Sequence, residues 1–281
     1  MSPPADAKPT STRRVIVGFA ILLAVALAIR LCYPLAGGDE NPAKSGPDGT
    51  LVIFHAGSLT NPMQALAKAY KKQHPRAVFR IEAAGSRHCA RKIADLNRRA
   101  DVMASADYKV VENLLIPKHA KFNIHFAVND MVIAYGAKSR RHGEITPKNW
   151  HRILADPKVR FGRADPNSDP CGYRTVMVFQ LTERLTGEAG LAARLTAKHG
   201  RTFIRPKETD LLALLEAGEI DYLPIYRSVA EQHGLKYVRL PPEVNLGSPL
   251  HAATYATAKV SVTGKTPGST LLRVGQPIVY S

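Results

Sequence analysis

The sequence predicts an α/β protein built on mainly parallel sheets. From Leu51 onward, short apolar runs alternate with longer stretches of helical periodicity. The strand-to-helix junctions carry Gly, Ser and Pro, residues that end one element and open the next. The chain has 281 residues, 45% of them apolar, enough for one or two domains with real cores and too apolar for a disordered chain.

The elements follow in order. Leu51–Phe54 is a short apolar run suited to a buried strand. Asn61-Pro62 opens a helix, with Pro at a tolerated first-turn position and Met63, Leu66 and Tyr70 as its stripe. Val78–Ile81 reads as a strand, Ser86–Leu96 as a helix, Asp101–Ala104 as a third strand, and the region around Lys109–Leu115 as a helix. Asn129–Tyr135 reads as one strand, Asn149–Leu154 as a helix carrying the single Trp150, and Val159–Phe161 as a short strand. Helices are expected at Arg174–Leu185 and Glu208–Ala217, the latter with Leu211, Leu212, Leu214 and Leu215 on its buried face. Strands Tyr222–Tyr226 and Tyr237–Leu240 flank a helix at Ser228–His233, and the tail from Tyr255 to Tyr280 is β-like.

Ahead of this region, Arg13-Arg14 precede an uncharged apolar run, Val15 to Ile29, of signal-peptide length. Arg30 interrupts it before Leu31–Ala36; without that charge the span would suit a transmembrane helix. Residues 1–37 are therefore expected to be a signal peptide or a retained membrane anchor. Both readings place the remainder outside the membrane, at the cell surface or in the periplasm. Residues 38–50, rich in Gly, Pro, Asp, Asn and Ser, read as a linker.

The formal net charge is +16, and residues 1–50 contribute little of it. A basic surface attracts nucleic acid, anionic membrane or small anions. The tightest basic groups, Arg87–Lys92 and Lys138–His142, lack the interleaved aromatics of a single-strand platform, so no nucleic-acid partner is expected. Cys89 and Cys171 are too few and too far apart for a zinc module; free buried thiols are the default, and spacing does not decide whether they pair. No P-loop, HExxH or GxSxG is present.

Ligands of parallel α/β sheets sit beyond the carboxyl ends of the strands. Two such loops share a pattern: His55-Ala56-Gly57-Ser58 and Ala83-Ala84-Gly85-Ser86 each place Gly-Ser where a helix begins. Gly lets backbone approach closely, Ser offers a hydroxyl and a cap, and the helix end supplies free N–H groups. Together these suit a small anion; taken singly, each is also an ordinary helix start. A third loop, Ala164–Tyr173, and a fourth, Arg205–Asp210, enter helices too. Turn chemistry and dipole-favourable acids account for them when they are read alone.

In order along the chain, Val52–Thr60, Glu82–Ser86, Arg99–Val102, Ala106–Tyr108, Asp165–Arg174, Arg205–Leu212, Ile220–Tyr222 and Ile225–Ala230 resemble the tungstate/molybdate-binding proteins of ABC transporters, of the type common in archaea. The likeness runs from about Leu51 to Tyr280. It implies a two-lobed periplasmic-binding-protein fold of class II, each lobe a mainly parallel sheet flanked by helices, with the ligand in the interlobe cleft. Residues 51–127 would begin the first lobe, 128–227 form the second, and 228–281 return to the first. The resemblance implies a monomer that captures tungstate or molybdate and delivers it to a permease with its ATPase, without a cofactor. By the same resemblance Gly57, Ser58 and Ser86 hold the anion from one lobe. Asp169, Pro170, Cys171, Glu208 and Tyr226 hold it from the other.

Two carboxylates beside a dianion demand a reason, because buried unpaired charge is costly. Either a protonated oxyanion such as phosphate donates a hydrogen bond to one carboxylate, or the central atom accepts carboxylate oxygens. Molybdenum and tungsten can do the latter and sulfur in sulfate cannot, so the resemblance makes Asp169 and Glu208 ligands to the metal centre. Alternatives are a phosphate- or sulfate-binding protein, or an enzyme on phosphate or sulfate esters using Asp169, Glu208 and His55. The chain departs from the family in three places. It stops at Ser281, where a strand and helices completing the first lobe are expected; it is shorter before Arg205; and it has Cys89 where a small apolar residue is expected.

Overall fold

A computed structural model describes residues 50–281. The expected signal or anchor at 1–37, Cys32 within it, and the linker up to residue 49 lie outside the described residues. Among the described residues no helix is long and apolar enough to cross a membrane.

The first sheet has the order β2-β1-β3 and is parallel throughout. Strand β1 (Thr50–Ala56) lies between β2 (Val78–Ala84) and β3 (Val102–Ala104), with Ile53 opposite both Ile81 and Val102. A central strand covered on both faces needs consecutive apolar residues, and Ile53 and Phe54 are both buried. Each strand leads to a helix: Thr60–Gln73, Ser86–Ala94 and Tyr108–Leu114. Asp107 caps the third, its Oδ1 accepting from the Lys109 amide at 2.9 Å.

Strand β4 (Ala127–Asn129) stops where β5 (Met131–Tyr135) begins. The single strand expected over Asn129–Tyr135 is thus two strands in two different sheets, broken at Asp130. β5 is the middle of a second sheet, between β8 (Tyr222–Tyr226) and β9 (Lys236–Arg239). It runs antiparallel to both, with Ile133 opposite Pro224 and Val238. The mainly parallel sheet expected for this half is therefore corrected. Alternation of strand and helix dictates parallel pairing only when a crossover returns to the same sheet, and β5 arrives from the other sheet instead. The pairing of β9 also keeps residues 236–239 with the second sheet, beyond the return expected at 228.

Strands β6 (Arg163–Ala164) and β7 (Ile204–Arg205) form a short parallel pair. The strand expected at Val159–Phe161 is only a bridge from Phe161 to Tyr222. The long helix Pro170–Thr186 is buried on every side from Pro170 to Phe179, polar Arg174 and Thr175 included, and only its last turn reaches solvent. It starts earlier than the expected Arg174, because Asp169 caps it and Pro170 fills the first turn. Phe179 on this helix stacks near Trp150, with centroids 6.3 Å apart, and meets Phe161 edge-on at 5.9 Å. The expected helix over Glu208–Ala217 begins as a 3₁₀ turn, Glu208–Leu211, before Leu212–Ala217.

The tail folds as a hairpin, β10 (Lys259–Thr263) with β11 (Thr270–Val274), and then β12 (Ile278–Tyr280) antiparallel to β4. Gln180 of the long helix ties down the hairpin by bonding both the amide and the carbonyl of Lys259 at 2.9 Å. Ser281 and Ser105 exchange backbone hydrogen bonds of 2.5 and 3.0 Å. On the first sheet, Leu51, Val78 and Val102 remain exposed.

Phe179→Ala removes a fully buried ring from the second half. Urea unfolding followed by Trp150 fluorescence is expected to show a loss of about 3–5 kcal/mol.

Candidate functional site

β1 ends in a 3₁₀ turn, Gly57–Leu59, and β2 leads through Gly85 into the helix that starts at Ser86. The two Gly-Ser loops therefore lie side by side at the carboxyl ends of adjacent parallel strands, since Ala56 pairs with Ala84. The expected capping role is corrected: neither serine side chain caps its helix. Ser58 Oγ accepts from the Tyr280 hydroxyl at 3.0 Å, and Ser86 Oγ accepts from the Ala106 amide at 3.0 Å. Both serines sit one step inside the turn, where tertiary neighbours reach the hydroxyl first.

From the other half, Asp169 and Glu208 arrive at the starts of two helical segments. Asp169 is 2% exposed and accepts from the Cys171 amide at 2.7 Å and from the Glu208 amide at 3.2 Å. Glu208 is 1% exposed; its carboxyl oxygens accept no hydrogen bond of ordinary geometry among the described residues, and the polar groups next to them are the Asp169 carboxyl and the Ser58 backbone amide. Those oxygens press on the first loop: a Cβ built on Gly57 would lie 3.0 and 3.2 Å from them, and 3.0 Å from Thr209 Oγ1. Glycine eases this close approach, since a Cβ there would make these side chains give by a few tenths of an ångström, and it is not needed for an unusual φ.

The electrostatics follow from this burial. Desolvation raises both carboxyl groups above the ordinary carboxylate range, and for Glu208 the neighbouring Asp169 charge adds to it. Burial also pushes the Cys171 thiol far up, with Asp169 and Glu208 adding to it. Its Sγ rests 3.7 Å from the Pro224 carbonyl, and Pro170 serves as the first residue of the long helix. Tyr226 ends β8 fully buried, its hydroxyl accepting from Arg174 at 2.7 Å.

The structure thus brings Gly57, Ser58, Asp169 and Glu208 together, with Cys171 beside the carboxyls. Ser86 and Tyr226 are buried in their own hydrogen bonds. His55, the histidine an esterase would use, has its Nδ1 at 2.7 Å from the Ala56 carbonyl, and burial lowers its pKa. Among the described residues it bonds neither carboxyl. Cys89 is a buried free thiol, raised to about 12 by burial, and fills a small apolar cluster with Phe54 and Ala84. Cys171 is also free.

The two halves are in contact at the site. A Cβ on Gly85 would fall 2.3 Å from the Ser168 carbonyl oxygen and 2.9 Å from that of Pro206. The His88 amide donates to the same Ser168 oxygen at 3.2 Å, and Arg87 Nε donates to the Asn167 carbonyl at 3.0 Å. Sequence reasoning missed Tyr280, which donates to Ser58 and accepts from Asn129 Nδ2 at 3.0 Å. A tyrosine ending a β-like run was the only signal, and it points to packing as readily as to a site.

The fold is the α/β fold of periplasmic binding proteins. The family described as bacterial extracellular solute-binding protein matches residues 51–266, and the chain belongs to it. It is accordingly a binding protein of an exported class, not an enzyme. An uncharacterized solute-binding protein of Petrotoga mobilis is 50% identical over 233 residues, covering 83% of this chain and 73% of that one. The molybdate/tungstate-binding protein WtpA of Thermococcus kodakarensis is 38% identical over 292 residues, covering 94% and 81%. The sulfate-binding protein SubI from Mycobacterium tuberculosis superposes with a TM-score of 0.52 at 13% identity, over 68% of this chain and 71% of that one. That likeness is one of fold, the α/β periplasmic-binding-protein fold.

Gly85→Ala is expected to force Ser168 away, because backbone atoms cannot yield cheaply. Faster hydrogen exchange at the His88 amide, with the global unfolding midpoint nearly unchanged, is the measurement. A second outcome concerns pH. A carboxyl whose folded pKa is raised stabilises the fold fully below its unfolded value, about pH 4, and that contribution is lost as pH rises through the folded pKa. Without added anion, the melting temperature of Glu208→Gln relative to the unsubstituted protein is therefore expected to increase as pH rises above about 4. A difference that is flat with pH would contradict this.

Proposed function

We propose that the chain captures tungstate or molybdate outside the membrane and delivers it to the permease of an ABC transporter. The observation that carries the reading is the Glu208 carboxyl, buried without a hydrogen bond of ordinary geometry among the described residues, beside Asp169 and against the Gly57-Ser58 loop. A site for an unprotonated sulfate would place donors there, because two carboxylates repel a dianion that offers no proton. A molybdenum or tungsten centre gives the same oxygens something to bind, since it accepts ligands beyond its own four. Gly57, Ser58 and Ser86, with backbone N–H groups at their turns, face the oxyanion oxygens from the first half. Asp169 and Glu208 ligate the metal from the second, with Pro170, Cys171 and Tyr226 forming the wall around them. The molybdate/tungstate-binding relatives, WtpA of Thermococcus kodakarensis and WtpA of Pyrococcus abyssi, support the choice of ligand. The proposed membrane association runs through the N-terminal segment, and the working unit is a monomer.

Calorimetric titration of the protein with tungstate, molybdate, sulfate and phosphate tests the reading. Tungstate and molybdate are expected to bind and the other two to fail as competitors. Asp169→Ala combined with Glu208→Ala is expected to weaken tungstate binding by at least about 100-fold, or about 2.7 kcal/mol. Equal affinity for sulfate, or a double variant that binds tungstate as before, contradicts the assignment.

A further inference from the structure

We propose that Arg174 is a positioning residue for oxyanion capture, one buried guanidinium that holds a ligand group from each half of the site. The inference rests on the tungstate/molybdate reading above. Arg174 is 2% exposed and lies near the start of the long helix whose cap is Asp169. Its Nη1 donates to the Tyr226 hydroxyl at 2.7 Å and to the Ala106 carbonyl at 2.6 Å. The amide of that same Ala106 donates to Ser86 Oγ at 3.0 Å. Arg174 thus fixes Tyr226 in the second half directly and Ser86 in the first half through one intervening residue.

Its other nitrogen is constrained as well. Nη2 is buried without a hydrogen bond and lies 3.6 Å from Asp107 Oδ2. Asp107 is already engaged: it accepts from Arg273 Nη2 at 2.6 Å, from the Tyr173 hydroxyl and from the Lys109 amide. Two cations and one anion leave this cluster with one excess positive charge behind the site. A structural filler would not need that arrangement, since well-packed apolar residues often replace buried ion clusters without loss of stability. Arg174 lies on the first turns of the helix that Asp169 caps, close behind the start where the two carboxyls meet. The flat fork of a guanidinium serves several acceptors in fixed directions, whereas a lysine ammonium is a point charge on a flexible stem.

The test is tungstate calorimetry on the full-length protein, with ligand-free thermal unfolding as a check on folding. Arg174→Lys keeps the charge and loses the fork; it is expected to weaken tungstate binding about 10- to 100-fold. Tyr226→Phe removes only the hydroxyl that Arg174 holds and is expected to weaken binding in the same range. The double variant is expected to lose less than the product of the two single losses, because both cut one linkage. Full affinity in Arg174→Lys, or losses that simply multiply, overturns the proposal even when the unsubstituted protein binds tungstate. If the unsubstituted protein binds neither tungstate nor molybdate, the functional reading falls first and this inference falls with it. Should Arg174→Lys fail to fold, Tyr226→Phe decides: unchanged tungstate affinity in that variant overturns the proposal.

Discussion

Asp169 and Glu208 are buried side by side, and the chain compensates the two unequally. Asp169 receives two backbone N–H bonds at the starts of two helical segments, while the Glu208 oxygens receive none of ordinary geometry among the described residues. Desolvating a carboxyl without partners is unfavourable, and the cost rises when a second carboxyl shares the space. Much of the surrounding structure serves to hold this arrangement. The long helix is capped by Asp169, the 3₁₀ turn begins at Glu208, and the backbone against the Glu208 oxygens is a glycine, where a Cβ would be tightly crowded.

The second constraint is the contact between halves. Gly85 meets the backbone of Ser168 and Pro206 with no room for a methyl group. Arginines then fasten this contact. Arg87 bonds the Asn167 carbonyl and the Thr263 carbonyl, and Arg91 bonds the Gly264 carbonyl at 2.6 Å. The hairpin that supplies Thr263 is itself tied to the long helix through Gln180. Some of the chain's large positive charge therefore has structural work where the two halves meet, with guanidinium groups donating to backbone carbonyls across the contact. An excess positive charge near a cleft also draws anions toward it.

Parts of the fold were legible because their cause is local. The run Val52–Phe54 is apolar on successive residues, as a strand covered on both faces requires, and β1 lies at the centre of its sheet. The direction of β5 was not legible, because strand polarity depends on where the chain came from. Nor was the break at Asp130, since residues on either side of it are equally suited to strands. The two serines show the same limit at the site. Their place at the loop was readable, but their hydroxyls are taken by Tyr280 and Ala106, which lie far along the chain. Proximity of that kind leaves no periodic trace in a sequence.

Sequence by itself determined the α/β class, the two Gly-Ser loops, and, through the resemblance carried by the Asp165–Arg174 and Arg205–Leu212 segments, the carboxyl pair. These features are fixed by residue type and short-range order: alternation sets the elements, and glycine, serine and proline mark where strands give way to helices. Tertiary structure alone decided which backbone lies against Glu208, which groups occupy the serine hydroxyls, and how one arginine joins Ser86 to Tyr226. Each of those depends on segments far apart in the chain coming together, and burial, which sets the energy of a carboxyl or a guanidinium, exists only once they have.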